Sequence, residues 1–210
     1  MQLDHVSYAV SPAAFASTWQ RFGNALGASF ADGGVHPGFG TRNVVLPLSD
    51  HTYVEIVTTL DHPAADRMPF GKAVKARADA GGGWLGWVVQ VDDLFPFEER
   101  LGRPSVAGHR ITPSGIDLRW RQLGVLDTMR DPQLPFFITW GEGVIHPSTG
   151  NSPIGIDALE ICGHRGTLDE WLGTQVTDPL GRVAITFVEA DEPGLTAVHF
   201  STPHGPIRLD

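Results

Sequence analysis

The alternation of apolar and polar residues predicts a strand at the start of the chain and a helix directly after it. In LDHVSYAV, residues 3–10, Val6 and Tyr8 fall on one face while His5 and Ser7 fall on the other. A Ser-Pro pair follows, which is typical of a helix start, and aromatic residues then recur at helical spacing up to a glycine. The chain is therefore expected to open with a strand, a helix and a glycine-rich loop.

The next apolar segments predict a hairpin. RNVVLPL (residues 42–48) and HTYVEIV (residues 51–57) flank a Ser-Asp turn, and both are rich in β-branched residues. One carboxylate, Glu55, interrupts the second of these otherwise apolar strands.

The order of strand, helix and strands then recurs twice, which predicts an α+β protein built from related units. Residues 1–60 form the first unit, a linker with a short helix over 70–78 covers 61–83, and a second unit spans 84–141. Residues 142–210 start the pattern a third time, with a capping box predicted at Thr167. The copies share the order of their elements without clear sequence identity.

Composition and charge narrow the classes of partner. The chain has 210 residues, of which 41% are hydrophobic and 19% charged, as in a folded globular protein. Its net charge of -9 without a basic stripe argues against nucleic acid and anionic membranes. The chain starts without a signal-peptide pattern, and its single cysteine, Cys162, excludes an internal disulfide. These features predict a cytoplasmic protein.

Four segments carry a family resemblance. DHVSYAV, HPGFGTRNVVLPL, YVEIV and PFFITWGEGVIHP together resemble the glyoxalase-like branch of the vicinal oxygen chelate superfamily, over about the first 147 residues. The resemblance implies paired βαβββ modules whose curved mixed sheets form a cleft, with a partial third module at the C-terminus. Members include lyases, isomerases, dioxygenases and epimerases, and some members only bind a ligand.

The resemblance also implies a metal site. In the family, side chains from the first and last strands of each module hold a divalent metal, and His5 and Glu55 match those positions in the first module. Imidazole and carboxylate suit Zn, Fe, Mn, Ni or Co. In the second module Gly86 and Thr139 stand at the matching positions and offer no good ligand. The predicted site is therefore incomplete, and it holds either one divalent metal or none.

Several other residues are candidates for the site. His109 and His199 are the candidates for a third metal ligand, whereas His36 and His146 are expected in loops. By alternation Thr139 is expected to face the cleft and Trp140 the opposite side. The candidate substrate-binding residues are Asn43, Gln90, Trp120, Phe137 and Thr139.

Two functions from different classes remain open. In the first, the protein is a lyase, isomerase or oxygenase acting on an oxygenated organic substrate. Glu55 is then metal ligand or general base, and His5 is the other ligand or the acid–base partner. In the second, the cleft binds or sequesters a metabolite or toxic compound without chemistry. A homodimer also stays open, because such modules pair either within a chain or between chains.

Overall fold

The computed structural model describes residues 1–148, 151–174 and 180–210. Residues 149–150, in the loop predicted before the third unit, and 175–179, inside that unit, lie outside the described residues. The described residues form a closed eight-stranded barrel and a separate four-stranded sheet, with short helices packed outside them. The predicted α+β class with curved sheets is confirmed.

The first half of the barrel comes from the N-terminal unit. Its elements are β1 (Gln2–Ala9), α1 (Phe15–Leu26), β2 (Ala31–His36), β3 (Thr41–Pro47) and β4 (Tyr53–Thr59). The strand β2 is absent from the sequence prediction, because ADGGVH carries two glycines and no apolar alternation.

The second half follows after two helices. Its elements are α2 (Pro63–Arg67), α3 (Pro69–Asp79), β5 (Gly83–Gln90), α4 (Phe95–Leu101), β6 (Val106–Ile111), β7 (Asp117–Leu123), α5 (Val125–Arg130) and β8 (Phe136–Trp140). The helix expected at 70–78 is present as α3, which buries Phe70 and Val74. The helix α5 was not predicted, since its six residues are too few for a periodic pattern.

The strand order around the barrel is β1-β4-β3-β2-β6-β7-β8-β5, and β5 closes onto β1. In each half the first strand pairs in parallel with the last, β1 with β4 and β5 with β8. One seam between the halves is a long antiparallel ladder from Gln2–Gln90 to Ala9–Gly83. The other seam rests on the single pair Val35–Ile111. The two halves therefore close into one barrel, and their inner faces surround a common interior.

The C-terminal unit repeats the element order with different pairing. Its elements are β9 (Gly155–Cys162), α6 (Arg165–Leu172), β10 (Ala184–Val188), β11 (Gly194–Thr202) and β12 (Gly205–Leu209). The sheet order is β10-β9-β11-β12, so β9 pairs in parallel with the strand directly after its helix. The helix begins at Arg165, so Thr167 lies inside it and the predicted capping box is wrong. None of the described helices, the longest having 12 residues, is long and apolar enough to cross a membrane.

Tryptophan side chains join the C-terminal unit to the outside of the barrel. The Trp171 indole stacks on Phe137 and donates a hydrogen bond of 2.8 Å to the carbonyl of Pro135. The Trp84 indole donates to the carbonyl of Leu209 at 3.1 Å. Both tryptophans are buried, and their surroundings form one hydrophobic core shared by barrel and sheet. The C-terminal sheet therefore stabilises the wall that carries β5 and β8.

We predict that Trp171→Phe lowers the free energy of unfolding by about 1–3 kcal/mol, because the buried Pro135 carbonyl loses its hydrogen-bond donor. The control is Trp19→Phe, at a half-buried indole for which the structure gives no hydrogen bond to a described residue. Urea unfolding followed by circular dichroism measures both variants. Equal losses in the two variants would contradict the assigned role of the Trp171 hydrogen bond.

Candidate functional site

The inner face of the barrel surrounds a small cavity of about 30 Å³. That volume holds one or two water molecules. Every second residue of each strand points inward, which brings distant parts of the chain together. The lining residues are His5, His36, Phe39, Asn43, Tyr53, Glu55, Phe70, Arg110, Trp120, Gln122, Phe136, Ile138 and Trp140.

Glu55 is the central charge of this cavity, and its side chain is buried. Parallel pairing of β1 and β4 places it opposite Ser7, whose hydroxyl donates a hydrogen bond of 2.7 Å to Oε2. The Asn43 amide on β3 donates to Oε1, also at 2.7 Å. Burial by itself raises the pKa of Glu55, but the imidazole of His5 and these two hydrogen bonds outweigh it. The pKa of Glu55 therefore lies below its usual value, and the group is a carboxylate at neutral pH.

His5 is held by its neighbour in the sequence. Its Nδ1 lies 2.5 Å from Oδ1 of Asp4, its ring stacks on Tyr53 at 4.4 Å, and its Nε2 lies 4.0 Å from Oε2 of Glu55. Consecutive strand residues ordinarily face opposite sides, but β1 has a register shift between Leu3 and His5 that brings Asp4 and His5 together. The carboxylate fixes the ring so that Nε2 points towards Glu55 and the cavity.

Asp4 anchors this arrangement from behind. It is fully buried, and its Oδ2 accepts hydrogen bonds from Trp140 Nε1 at 2.9 Å and His146 Nε2 at 3.1 Å. Burial opposes its ionisation, yet the hydrogen bonds of His146 and His5 hold the pKa of Asp4 below its usual value. His146 was expected in a loop, and it does follow β8 in an irregular segment. Nothing in the sequence indicated that it bonds to the first strand.

His36 also belongs to the site, which corrects its prediction as a loop residue. It ends β2 with its side chain buried in the cavity wall, and its Nδ1 lies 2.8 Å from the Thr41 hydroxyl. Burial is the main cause that lowers the pKa of His36 to about 4. His36 is therefore neutral at physiological pH.

The second half contributes mainly aromatic and apolar groups. On β8, Ile138 pairs with Gln122 and Trp140 pairs with Trp120, and these four side chains line the cavity. Of the candidates for substrate binding, Asn43 and Trp120 thus lie in the lining. The inward side chains of β8 offer no counterpart to the carboxylate of Glu55.

Three other candidates lie elsewhere. Thr139 faces outward and donates to the carbonyl of Val91 at 2.8 Å, and Phe137 packs on the outer face against helices. Gln90 lies at the end of the barrel, where its amide accepts a hydrogen bond from Gln2. The expected directions of Thr139 and Trp140 are thus reversed. Superposing Thr139 on Glu55 by sequence shifts β8 by one residue, and a one-residue shift exchanges the two faces of a strand.

The donors in the cavity do not fit the usual three-ligand metal site. Nε2 of His5 lies 4.0 Å from Oε2 of Glu55, and each oxygen of Glu55 already accepts a hydrogen bond. His109 and His199, the candidates for a third ligand, bond to carboxylates outside the cavity. Within residues 1–148, 151–174 and 180–210, no three His, Cys, Asp or Glu side chains are grouped to hold a metal ion.

Solved structures align with this chain at low sequence identity. A hypothetical protein from Staphylococcus aureus aligns with a TM-score of 0.73 and 12% identity, over 100% of this chain and 98% of that chain. Methylmalonyl-CoA epimerase from Mycobacterium tuberculosis aligns with a TM-score of 0.43 and 14% identity, over 66% of this chain and 86% of that chain. A Streptomyces coelicolor methylmalonyl-CoA epimerase variant, in complex with 2-nitronate-propionyl-CoA, gives 0.45 and 13%, over 70% and 99%.

Sequence comparison supplies the family. None of the curated proteins matches the chain. The model of a glyoxalase-like domain matches residues 3–176, which include the barrel from Leu3 onward and the start of the C-terminal unit. The chain therefore belongs to the glyoxalase-like domain family of the vicinal oxygen chelate superfamily.

Proposed function

We propose that the barrel is the active site of a proton-transferring enzyme, an isomerase or lyase, that acts on a small oxygenated organic molecule. The observation that supports the proposal is that the same cavity contains two titratable side chains, Glu55 and His5, with different hydrogen-bond partners. Glu55 is a buried carboxylate held by neutral donors, and His5 is an imidazole held by a second carboxylate, Asp4. Two titratable groups in contrasting environments are the usual basis for assigning a base and an acid.

Glu55 is the general base in this proposal. Its oxygens point into the cavity from β4, and each keeps a lone pair beyond the hydrogen bonds from Ser7 and Asn43. It takes a proton from a carbon next to a carbonyl group. The electrons of that C–H bond form a carbon–carbon double bond, and the carbonyl π electrons move to its oxygen.

His5 acts as the hydrogen-bond donor and acid towards the carbonyl oxygen in this proposal. In its protonated form, Nε2–H donates to the carbonyl oxygen as negative charge develops there. Asp4 accepts from Nδ1 and stabilises the imidazolium. With a hydroxyl group on the carbon that lost its proton, transfer of the proton from Glu55 to the former carbonyl carbon, while His5 takes the proton of that hydroxyl, completes an isomerisation. Departure of a leaving group from the adjacent carbon completes an elimination.

Binding without chemistry is the second candidate function. The second half of the barrel presents apolar side chains where the first half presents Glu55, and aromatic side chains from both halves line the cavity. Both features suit a protein that holds a small compound inside an aromatic wall. The two candidates differ in whether a bound ligand exchanges a carbon-bound proton with solvent.

Proton exchange provides the test of catalysis. Hydroxyacetone, butane-2,3-dione and pyruvate are incubated with the protein in D₂O, and loss of the proton signal next to the carbonyl is followed by NMR. The wild type is expected to accelerate exchange of at least one of the three compounds. Glu55→Gln keeps the size of the side chain and removes the base, so the rate should fall by about 100-fold or more.

The matched control is Glu160→Gln. Glu160 is also hydrogen-bonded to a histidine, His199, but it lies on the C-terminal sheet away from the cavity. Its replacement is expected to leave exchange unchanged. Saturable binding of a compound without exchange in the wild type would refute the enzyme and support the binding protein.

The pH dependence of exchange tests whether the hydrogen bond from Ser7 lowers the pKa of Glu55. The hydroxyl of Ser7 stabilises the charged form of Glu55, so removing it in Ser7→Ala raises the pKa of Glu55. As the pH is lowered, Glu55 is then protonated at a higher pH than in the wild type. The acid limb of the pH–rate profile should therefore shift to higher pH. Ser201→Ala, which removes a hydrogen bond to Asp157 on the C-terminal sheet, should leave the profile in place. An acid limb that stays in place in Ser7→Ala would mean that another group controls it.

Chelation tests the metal-independent mechanism. Because no third His, Cys, Asp or Glu side chain among the described residues is grouped with His5 and Glu55 to hold a metal ion, exchange should survive dialysis against EDTA. Elemental analysis of untagged protein should show no stoichiometric Zn, Fe, Mn, Ni or Co. A rate that is lost on chelation and restored by one of these metals would contradict the acid–base proposal.

A further inference from the structure

We propose that Arg110 binds a carboxylate group of the ligand, so that the barrel accepts small oxygenated organic acids. Arg110 lies on β6 and lines the same cavity as Glu55. The inference names the substrate class of that site and therefore rests on the function proposed above.

The guanidinium of Arg110 is a buried cation without a close counter-ion. Only 5% of the residue is exposed. Its hydrogen bond among the described residues runs from Nη1 to Oδ1 of Asn43 at 3.3 Å, and no described carboxylate forms an ion pair with it. A buried charge costs free energy unless an opposite charge and further hydrogen bonds satisfy it.

Other arginines in the chain show the contrast. Arg103 forms an ion pair with Asp127 at 2.8 Å, and Arg208 forms one with Glu160 at the same distance, although both arginines are more exposed than Arg110. Arg110, the most buried of these three arginines, thus lacks a carboxylate partner within the part of the chain that the structure describes. A planar guanidinium binds carboxylates through two parallel hydrogen bonds, which makes a ligand carboxylate the partner that fits best.

Gly33 on β2 lets this guanidinium and the Asn43 amide pack directly against the strand backbone. A Cβ atom at Gly33 on β2 would lie inside van der Waals contact with both Nη1 of Arg110 and Oδ1 of Asn43. Arg110 also borders a groove of about 590 Å³ on the outside of the barrel, together with His146. The guanidinium is therefore placed between solvent and the reactive groups, where an entering anion would meet it.

Asn43 separates Arg110 from the nearest acid. Its amide donates to Glu55 and its carbonyl oxygen accepts from Arg110, so the two charges are bridged and do not pair directly. The other buried acid of the cavity wall, Asp4, is already bonded to His5, His146 and Trp140. Both carboxylates have their own donors, which leaves the guanidinium to a ligand.

Paired ligands of equal size provide the experiment. Pyruvate and butane-2,3-dione differ by the exchange of a carboxylate for an acetyl group, and glyoxylate and methylglyoxal form a smaller pair of the same kind. Binding of each to the full chain is measured by titration calorimetry, with Arg110→Met and Arg110→Lys as variants. The control is Arg119→Met, at an exposed arginine of the neighbouring strand that pairs with Asp117.

The wild type is expected to bind at least one acid more tightly than its neutral partner. Arg110→Met should weaken that acid between about ten- and one-hundred-fold and leave the neutral compound unchanged. Arg110→Lys should give an intermediate loss, and Arg119→Met none. The ligand-free Arg110→Met variant should be at least as resistant to urea as the wild type, because a buried uncompensated charge has been removed.

Two results overturn the inference. One is that no acid binds the wild type more tightly than its neutral partner, and the other is that Arg110→Met weakens both members of a pair equally. Exchange chemistry without preference for acids would refute the role of Arg110 and leave the role of Glu55 intact. Acid binding without exchange in any compound would refute the proton transfer and leave the role of Arg110 standing.

Discussion

The hydrogen bonds that Glu55 accepts from Ser7 and Asn43 are the constraint on which the barrel interior depends. A carboxylate that is buried without donors would take up a proton or destabilise the fold. Its two donors come from β1 and β3, the strands on either side of β4. The order of three strands and their registers are therefore linked to one charged group, which ties the chemistry of the site to the stability of the sheet.

The same dependence extends across the seam between the halves. Asp4 belongs to the first half, but the second half supplies Trp140, and the segment after β8 supplies His146, to satisfy it. His5 is oriented through Asp4, so the direction of its Nε2 depends on closure of the barrel. The C-terminal unit supports this closure from outside. Trp171 of α6 donates a hydrogen bond to the carbonyl of Pro135 just before β8, and Trp84 of β5 donates one to the carbonyl of Leu209 on β12.

The two halves share a topology but contribute different kinds of side chain to the cavity. The first half provides the buried acids and two imidazoles, whereas the second provides Arg110, aromatic rings and Ile138. Because β8 supplies no counterpart to Glu55, the site differs from a metal centre whose ligands come from both halves. It suits a small ligand held between a cation on one side and an acid–base pair on the other, inside a wall of aromatic side chains.

The sequence by itself determined the repeated strand–helix–strand order, the hairpin of β3 and β4, and the inward placement of His5, Asn43, Glu55 and Trp120. The element order and the hairpin follow from local alternation and turn residues, which act over a few positions. The inward placement of these side chains was inferred from the family resemblance together with the alternation.

Only the tertiary structure decided the rest. The register shift in β1 that joins Asp4 to His5, the approach of His146 and the burial of His36 and Arg110 depend on contacts between residues far apart in the chain. Alternation identifies which residues of β8 share a face, but pairing with β5 and β7 decides which face is inside. For that reason Trp140 and Ile138 line the cavity while Thr139 and Phe137 do not.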